Sequence, residues 1–312
     1  MFKKLFIELL KNPLLPFRKT RWAIGIVNNF STGDILNKQM TDIIWIEGKF
    51  SGDFFADPFV TKYFGEPLIF FENYDDKSRL GRISYIAVSD VEQHLDNIEK
   101  YIHTALELTT HLSYPYLFEY KGQLYMVPEN YQSHTIPLYK AGSNPDIWEK
   151  TDVFIYDFDG IDTTIFEHNG KWWMFSTRRE AGTDSEYSEL YIWYSETPLG
   201  NWKVHELNPI RYDSPIARGA GSPFIVNGEL YRPVQDCSQM YGGELLIKKI
   251  TTLTPNDFKE EIVKKCFGYP PFEDGFHTYC SYDDISVIDG SRKKYSLING
   301  WNNLSRMIYR KI

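Results

Sequence analysis

The sequence predicts an all-β protein, a five-bladed β-propeller with a short N-terminal helical extension. Three observations predict it. A pattern of apolar strand, tight turn and second apolar strand returns five times, at intervals of roughly 50–60 residues, as one blade after another would. Asn-Gly and Asp-Gly pairs stand between the strands of several repeats, and such pairs supply the positive φ that two-residue hairpins demand. The 312-residue chain also carries 8 Trp, 22 Tyr and 21 Phe, side chains that suit half-buried pleated surfaces. A β-sandwich would explain the strands but not the repeated hairpins.

The elements follow in order. Residues 1–20 form an N-terminal segment in which Phe2, Leu5, Phe6, Leu9 and Leu10 share one helical face, with Lys3, Lys4 and Lys11 among the polar positions. That pattern suits a helix lying on a membrane surface or packed on its own domain. Glu8 interrupts its apolar part and no small-residue cleavage site follows, so it is a poor secretion signal. Residues 21–312 read as a single propeller domain, with no linker inside it. A strand over 22–27 precedes the first repeat and is placed to complete the last blade.

The first repeat spans 57–60 and 68–72, with a third strand over 82–88. The second spans 114–118 and 124–129 around Lys121-Gly122. The third spans 160–166 and 172–178 around Asn169-Gly170, followed by 190–194. The fourth spans 221–226 and 230–236 around Asn227-Gly228, followed by 243–250. The fifth opens at 276–279 and places a hairpin at Asp289-Gly290 between strands 285–288 and 294–300.

Composition excludes several classes of function. The net charge of −8 and a pI near 5.5 argue against general nucleic-acid binding, which needs a basic surface. Seven His residues include no pair at zinc-ligand spacing, so no catalytic metal is expected; a divalent cation held in the funnel by Asp or His stays open. Neither of the best-known nucleotide fingerprints occurs, and no cofactor is expected. Cys237, Cys266 and Cys280 form no C-x-x-C pair and read as reduced thiols of a cytoplasmic protein, with the inner membrane surface as a second location.

Propeller geometry then gathers the candidate site. Residues opening each innermost strand, and those closing the strand that returns beside it, converge on one end of the axis. They are Asp57 with Glu72, Tyr114 with Glu129, Asp162 with Arg178 and Arg179, Ser222 with Arg232, Gln235 and Asp236, and His277 with Asn299; Arg218 lies just upstream of the fourth opening. Buried charge is costly unless paired, and a cluster of it is a common mark of function. Some members could equally be ion pairs that bridge blades.

Ala56-Asp57-Pro58-Phe59 resembles the opening motif of five-bladed propeller glycosidases such as glycoside hydrolase family 43, which implies that Asp57 is a base. Residues 160–166 with Asn169-Gly170-Lys171 resemble the motif of the second acidic residue in those enzymes, which implies that Asp162 orients the acid; Thr163 stands where Pro is usual. The general-acid Glu expected shortly before Pro223 is missing, since residues 218–223 hold no carboxylate. A glycosidase ordinarily needs two carboxyl groups flanking the bond.

A closer resemblance rests on residues 231–238 with Tyr241-Gly242-Gly243-Glu244, on 125–129 and on Gly275-Phe276-His277-Thr278. These are similar to the propeller domain of plant glucosamine inositolphosphorylceramide transferases and of bacterial relatives from polysaccharide gene clusters. The similarity spans roughly 45–300 and leaves out the separate transferase domain of the plant proteins. It implies a glycosyltransferase of surface polysaccharide or glycolipid synthesis, with a phosphate-activated sugar donor and a saccharide or lipid-linked acceptor as partners. Asp57 would be the base, Glu129 or His277 the acid or sugar ligand, and Arg178, Arg179, Arg218 and Arg232 the phosphate ligands. A hydrolase or transglycosidase using Asp57, Asp162 and a relocated acid at Glu129 is the second reading, and a sugar-binding propeller without turnover is the third.

Overall fold

The computed structural model describes residues 18–48 and 53–295; the stretch expected to form the N-terminal helix and Asn299 lie outside the described residues. The chain opens with β1 (Arg18–Asn28) and β2 (Ile44–Glu47). Four antiparallel blades follow. The first is β3 (Phe54–Tyr63), β4 (Glu66–Asp75), β5 (Leu80–Ala87) and β6 (His103–Leu106). The second is β7 (Ser113–Tyr120), β8 (Gln123–Glu129), β9 (Thr135–Ala141) and β10 (Trp148–Tyr156). The third is β11 (Gly160–His168), β12 (Lys171–Arg178), β13 (Glu189–Ser195) and β14 (Lys203–Val204), with β15 (Ile210–Arg211) also on β13. The fourth is β16 (Phe224–Val226), β17 (Glu229–Asp236), β18 (Glu244–Thr254) and β19 (Asp257–Cys266).

The fifth blade closes the ring. Its inner strands are β20 (Tyr279–Tyr282) and β21 (Ile285–Tyr295), and its outer strands are β1 and β2, giving the order β20-β21-β1-β2. The expected completion of the last blade by the N-terminal strand is therefore met, from Arg18 opposite Tyr295 to Asn28 opposite Ile285. Pairing the two ends of the chain in one sheet removes the bare edges an open array would leave.

The expected two-residue turns form in the second, third and fourth blades, where Lys121-Gly122, Asn169-Gly170 and Asn227-Gly228 all have positive φ. The fifth hairpin does not form where the sequence suggested. Asp289 and Gly290 lie inside the continuous strand β21, and the turn falls at Asp283, with φ of 52°. The reason is packing. A Cβ on Gly290 would sit 2.7 Å from the Trp45 ring and 2.8 Å from the Phe272 carbonyl oxygen, so the glycine admits close neighbours rather than a turn.

The three inner strands β3, β7 and β11 begin with the same irregularity. Their register slips between Ala56 and Phe59, Ser113 and Tyr116, and Ile161 and Thr164. In each bulge one residue is left-handed: Asp57 at φ 51°, Tyr114 at 43° and Asp162 at 47°. Gly221, at φ 126°, stands before β16, and a Cβ there would lie 1.7 Å from the Tyr279 carbonyl oxygen. Asp tolerates this conformation, whereas a Tyr in it is an outlier that surrounding bonds must hold. Below the bulges, Phe59, Val60, Tyr116, Ile165 and Cys280 pack with Phe71, Val127, Met174 and Val287 into a continuous core.

Candidate active site

At the bulged end the blades surround an open cleft of about 440 Å³. Asp57, Glu72, Glu129, Ile161 and Arg218 line its depth, Tyr74, His111, Ser113, Tyr187 and Tyr241 its walls, and Arg79, Tyr131, Gln132 and Arg179 its mouth. Asp57, Glu72 and Glu129 are all buried, as is Asp162 beside them.

Strain and hydrogen bonding fix the floor. The left-handed turn at Asp57 aims its carboxylate at the axis, where Oδ1 accepts the Thr278 hydroxyl at 2.9 Å and Oδ2 accepts the Tyr114 N–H at 3.3 Å. Asp289 lies behind it. Its Oδ1 accepts the N–H groups of His277 and Thr278 at 3.0 and 2.9 Å, and its Oδ2 accepts the Asp57 N–H at 3.1 Å. Asp289 thus ties the first blade to the fifth and holds Asp57 in its strained backbone. The Tyr114 hydroxyl accepts the Gly221 N–H at 2.7 Å, which binds the second blade to the fourth across the axis.

His277 is buried under the cleft rather than lining it. Its ring stacks on Trp22 at 4.0 Å, its Nδ1 lies 2.5 Å from Asp289 Oδ2, and its Nε2 lies 3.7 Å from Asp57 Oδ1. Burial opposes its charge, but the carboxylates of Asp289 and Asp57 outweigh burial and hold its pKa above the usual value. Asp57, His277 and Asp289 offer donor atoms all within 4.8 Å of one another and are the residues that could hold a cation. Every carboxylate oxygen among them already accepts an N–H or O–H, so the trio acts as a hydrogen-bonded hub.

Arg218 occupies the segment where a glycosidase acid was expected. Its Nε donates to Asp162 Oδ2 at 2.6 Å and its Nη2 faces Glu129 Oε2 at 3.6 Å, with the guanidinium 5.1 Å from the centre of the Tyr241 ring. Gln235 completes the arrangement by donating to Asp162 Oδ2 and to the Gly219 carbonyl, both at 2.9 Å. Asp162 is therefore a fixed counterion. Glu129 Oε2 is buried and has no hydrogen-bond partner among the described residues.

The acids differ in protonation. Burial pushes Asp57 up to about 6, against the pull of His277. Burial holds Glu72 well above the carboxylate range, helped by the charges of Asp57 and Glu129. Glu129 is raised likewise, by burial first and the Asp162 carboxylate second, while Arg218 works against them. With a pKa near 6, Asp57 is ionised at neutral pH, beside a Glu129 whose proton affinity is raised, so a base and a candidate acid stand side by side. His111 was not anticipated. Its Nδ1 accepts the Gly81 N–H at 2.9 Å, so Nε2 carries the proton and lies 3.4 Å from Glu72 Oε1. Burial, reinforced by Arg179, lowers its pKa to about 4 and keeps it neutral.

Several expected members are elsewhere. Arg232 lies in a buried cluster outside the funnel, paired to Glu260 at 2.6 Å together with Lys248 and the Tyr212 hydroxyl. Arg232 and Asp236 are four residues apart on β17 and share the face opposite Gln235, as strand alternation requires. Asp236 faces an outer groove, where it accepts the Ser238 N–H and pairs with Lys265. Arg178 lies over the Phe158 ring at 5.5 Å and does not line the cleft, whereas Arg179, next along the chain, does. Arg79, Tyr131, Tyr187 and Tyr241 reach the cleft from the connections between the second and third strands of the first four blades, where no strand periodicity announces them.

Residues 23–271 match the family model described as "Glucosamine inositolphosphorylceramide transferase 1, N-terminal". The chain is 36% identical over 268 residues to glucosamine inositolphosphorylceramide transferase 1 of Oryza sativa subsp. japonica, covering 79% of this chain and 35% of that protein. It is 31% identical over 235 residues to the Arabidopsis thaliana protein of the same name, covering 75% and 30%. The chain thus spans about a third of the length of these curated relatives. Among solved structures it is similar to an α-L-arabinofuranosidase from Lactobacillus brevis, with a TM-score of 0.52 at 12% identity over 72% of this chain and 78% of that one. That likeness concerns the fold alone.

Proposed function

Since the chain belongs to the glucosamine inositolphosphorylceramide transferase 1 N-terminal family, we propose that its funnel takes part in glycosyl transfer during surface polysaccharide or glycolipid synthesis. The observation that carries this reading is the division of charge in the cleft. Exposed Arg79 and Arg179 stand at the mouth, with half-buried Glu186 also on the lining, and the buried carboxyls of Asp57, Glu72 and Glu129 form the floor. Guanidinium forks suit phosphate oxygens. Carboxyl groups, neutral or ionised, suit sugar hydroxyls. A molecule with a phosphate at one end and a sugar at the other matches both.

In the reaction, Asp57 accepts the proton of an acceptor hydroxyl as its oxygen attacks the anomeric carbon. The bond from that carbon to the donor phosphate breaks, and the phosphate leaves with its charge met by Arg79 and Arg179. A pKa near 6 leaves Asp57 ionised at neutral pH and still basic. Glu129 donates its proton in a hydrogen bond to a sugar or leaving oxygen. The relatives are named for a phosphoryl-bearing, lipid-linked molecule, so a lipid-linked acceptor is the second ligand class suited to the rim. The work would be done on the cytoplasmic side, in keeping with three free cysteines.

Titration calorimetry with a panel of nucleotide sugars tests the reading. Binding is expected, weakened at least about tenfold by Arg79→Gln with Arg179→Gln, since each lost charge-assisted pair costs about 1.5–3 kcal/mol. Absence of binding to every nucleotide sugar and sugar phosphate refutes it. One observation favours a hydrolase instead, namely Glu129, whose raised proton affinity and unpartnered oxygen suit an acid. Release of aryl from aryl glycosides, abolished by Asp57→Asn, would establish that alternative. Sugar binding without turnover in either assay would leave a binding propeller.

A further inference from the structure

We propose that Glu72 and His111 form a notch that reads one hydroxyl of the sugar, His111 donating to it and Glu72 accepting from it. The inference rests on the glycosyl-transfer reading above and deepens it, since that reading gives neither residue a task.

The two side chains meet where the first and second blades join. Glu72 stands opposite Ala56 across β3 and β4, next to the bulge at Asp57, so its carboxyl reaches the cleft beside the base. His111 lies in the connection from β6 to β7 and reaches the same lining. Gly81, on β5, makes the meeting possible. A Cβ there would lie 2.4 Å from the Leu112 carbonyl oxygen, 2.8 Å from Glu72 Oε1 and 2.9 Å from His111 Cε1. Gly81 is not among the glycines at positive φ, so the lack of space, and not the backbone, requires glycine here.

The backbone then fixes which proton His111 carries. Its Nδ1 accepts the Gly81 N–H at 2.9 Å, and the Leu112 N–H returns to the Gly81 carbonyl at 2.9 Å. From the second blade, Gln132 Oε1 accepts the His111 backbone N–H at 2.7 Å. The ring is thus held from both blades with Nε2–H toward Glu72. Burial first and Arg179 second lower its pKa to about 4, so this tautomer persists through neutral pH. Nε2 and Glu72 Oε1 are 3.4 Å apart, beyond the ~2.9–3.0 Å of a well-made N–H···O bond. His111 is also the one basic side chain in ion-pair range of Glu72 among the described residues. A donor and an acceptor therefore stand side by side on the lining, each incompletely satisfied by the other. A hydroxyl accepts and donates at once and completes both. A sugar lacking that hydroxyl leaves both groups unpaired, and that is the arrangement that discriminates most sharply.

Calorimetry with the anomeric phosphates of glucose, galactose and mannose, and then with the monodeoxy analogues of those that bind, tests the notch. In the wild-type protein, loss of one particular hydroxyl is expected to weaken binding at least about tenfold, as when two polar groups are left without a partner. His111→Asn keeps an amide oxygen for the Gly81 N–H and removes the donor at Nε2; Glu72→Leu removes the acceptor. Each should bring the parent sugar down to the level of that one analogue and leave the penalties at other positions unchanged. Nitrogen NMR of the ligand-free protein should show His111 as the neutral Nε2–H form at neutral pH, with Nε2 shifting on addition of the parent sugar phosphate and not of inorganic phosphate. An Nδ1–H or cationic ring, variants that keep the full discrimination, or a uniform loss across all analogues overturns the notch and leaves glycosyl transfer standing. Binding of none of these sugar phosphates also overturns it, and the titration with nucleotide sugars then decides whether the transfer reading falls with it.

Discussion

Replacing Asp57 by Asn should make the protein more stable at neutral pH while abolishing activity. Burial raises the Asp57 carboxyl from its ordinary 3.8 to about 6. That rise corresponds to about 3 kcal/mol, at about 1.36 kcal/mol per tenfold change in proton affinity. The folded protein binds this proton more tightly than the unfolded chain does. Stability therefore falls as pH rises from about 4 to about 6, and the full penalty is present above that window. An amide carries no charge to desolvate. It also fits the site, because its oxygen can accept the Tyr114 N–H while its NH2 donates to a rotated Thr278 hydroxyl. His277 loses one of its two carboxylates and takes back part of the gain, leaving about 1–3 kcal/mol. Urea denaturation from pH 4 to pH 8 is the assay. The variant should match the wild type near pH 4 and exceed it at pH 8, with a melting temperature about 2–10 °C higher. No gain at pH 8, or an equal gain at pH 4, would refute the claim that Asp57 is held ionised against its surroundings.

Three further outcomes follow from the same geometry. Arg218→Leu strips the counterion from Asp162 and should cost about 3–5 kcal/mol in urea denaturation. Arg232→Met should cost a similar amount, because Glu260, held down to about 2 chiefly by Arg232 against the opposing effect of burial, is left buried beside Lys248 alone; ligand affinity measured by calorimetry should not change. Gly290→Ala drives a methyl into the Trp45 ring and the Phe272 carbonyl, and should lower stability by about 1–3 kcal/mol with quenching or shift of tryptophan fluorescence.

Much of the fold is legible because blades repeat. Type of turn, alternation of apolar residues and closure of the last blade by residues 22–27 all follow from local chemistry. The floor of the site is legible for the same reason: Asp57 and Asp162 take equivalent places on the inner strands of the first and third blades, and Glu72 and Glu129 on the second strands of the first and second. What failed was the reading of side-chain direction. Arg178 and Arg179 are adjacent in sequence and differ in destination, and Arg232 and Gln235, an odd three residues apart on β17, fall on opposite faces of the pleat. Asp289 was hidden by its neighbour. An Asp-Gly pair announces a turn only if the glycine is needed for its φ, and here it is needed because Trp45 and Phe272 leave no room for a Cβ.

The buried hub also explains why a strained floor persists. Asp57 and Tyr114, and Asp162 with them, each sit in a conformation that costs about 1 kcal/mol or more, and none would hold it alone. Asp289 fixes the backbone at Asp57, the Tyr114 hydroxyl reaches across to Gly221, and Arg218 with Gln235 fixes Asp162. Each tie joins residues of different blades. The bonds that position the acids are therefore the bonds that close the ring, and the site can be rigid only when all five blades are in place. A catalytic or binding carboxylate assembled this way is insensitive to motion of any one loop, which leaves the rim, with Arg79 and Arg179 on exposed connections, as the part free to adapt to a ligand.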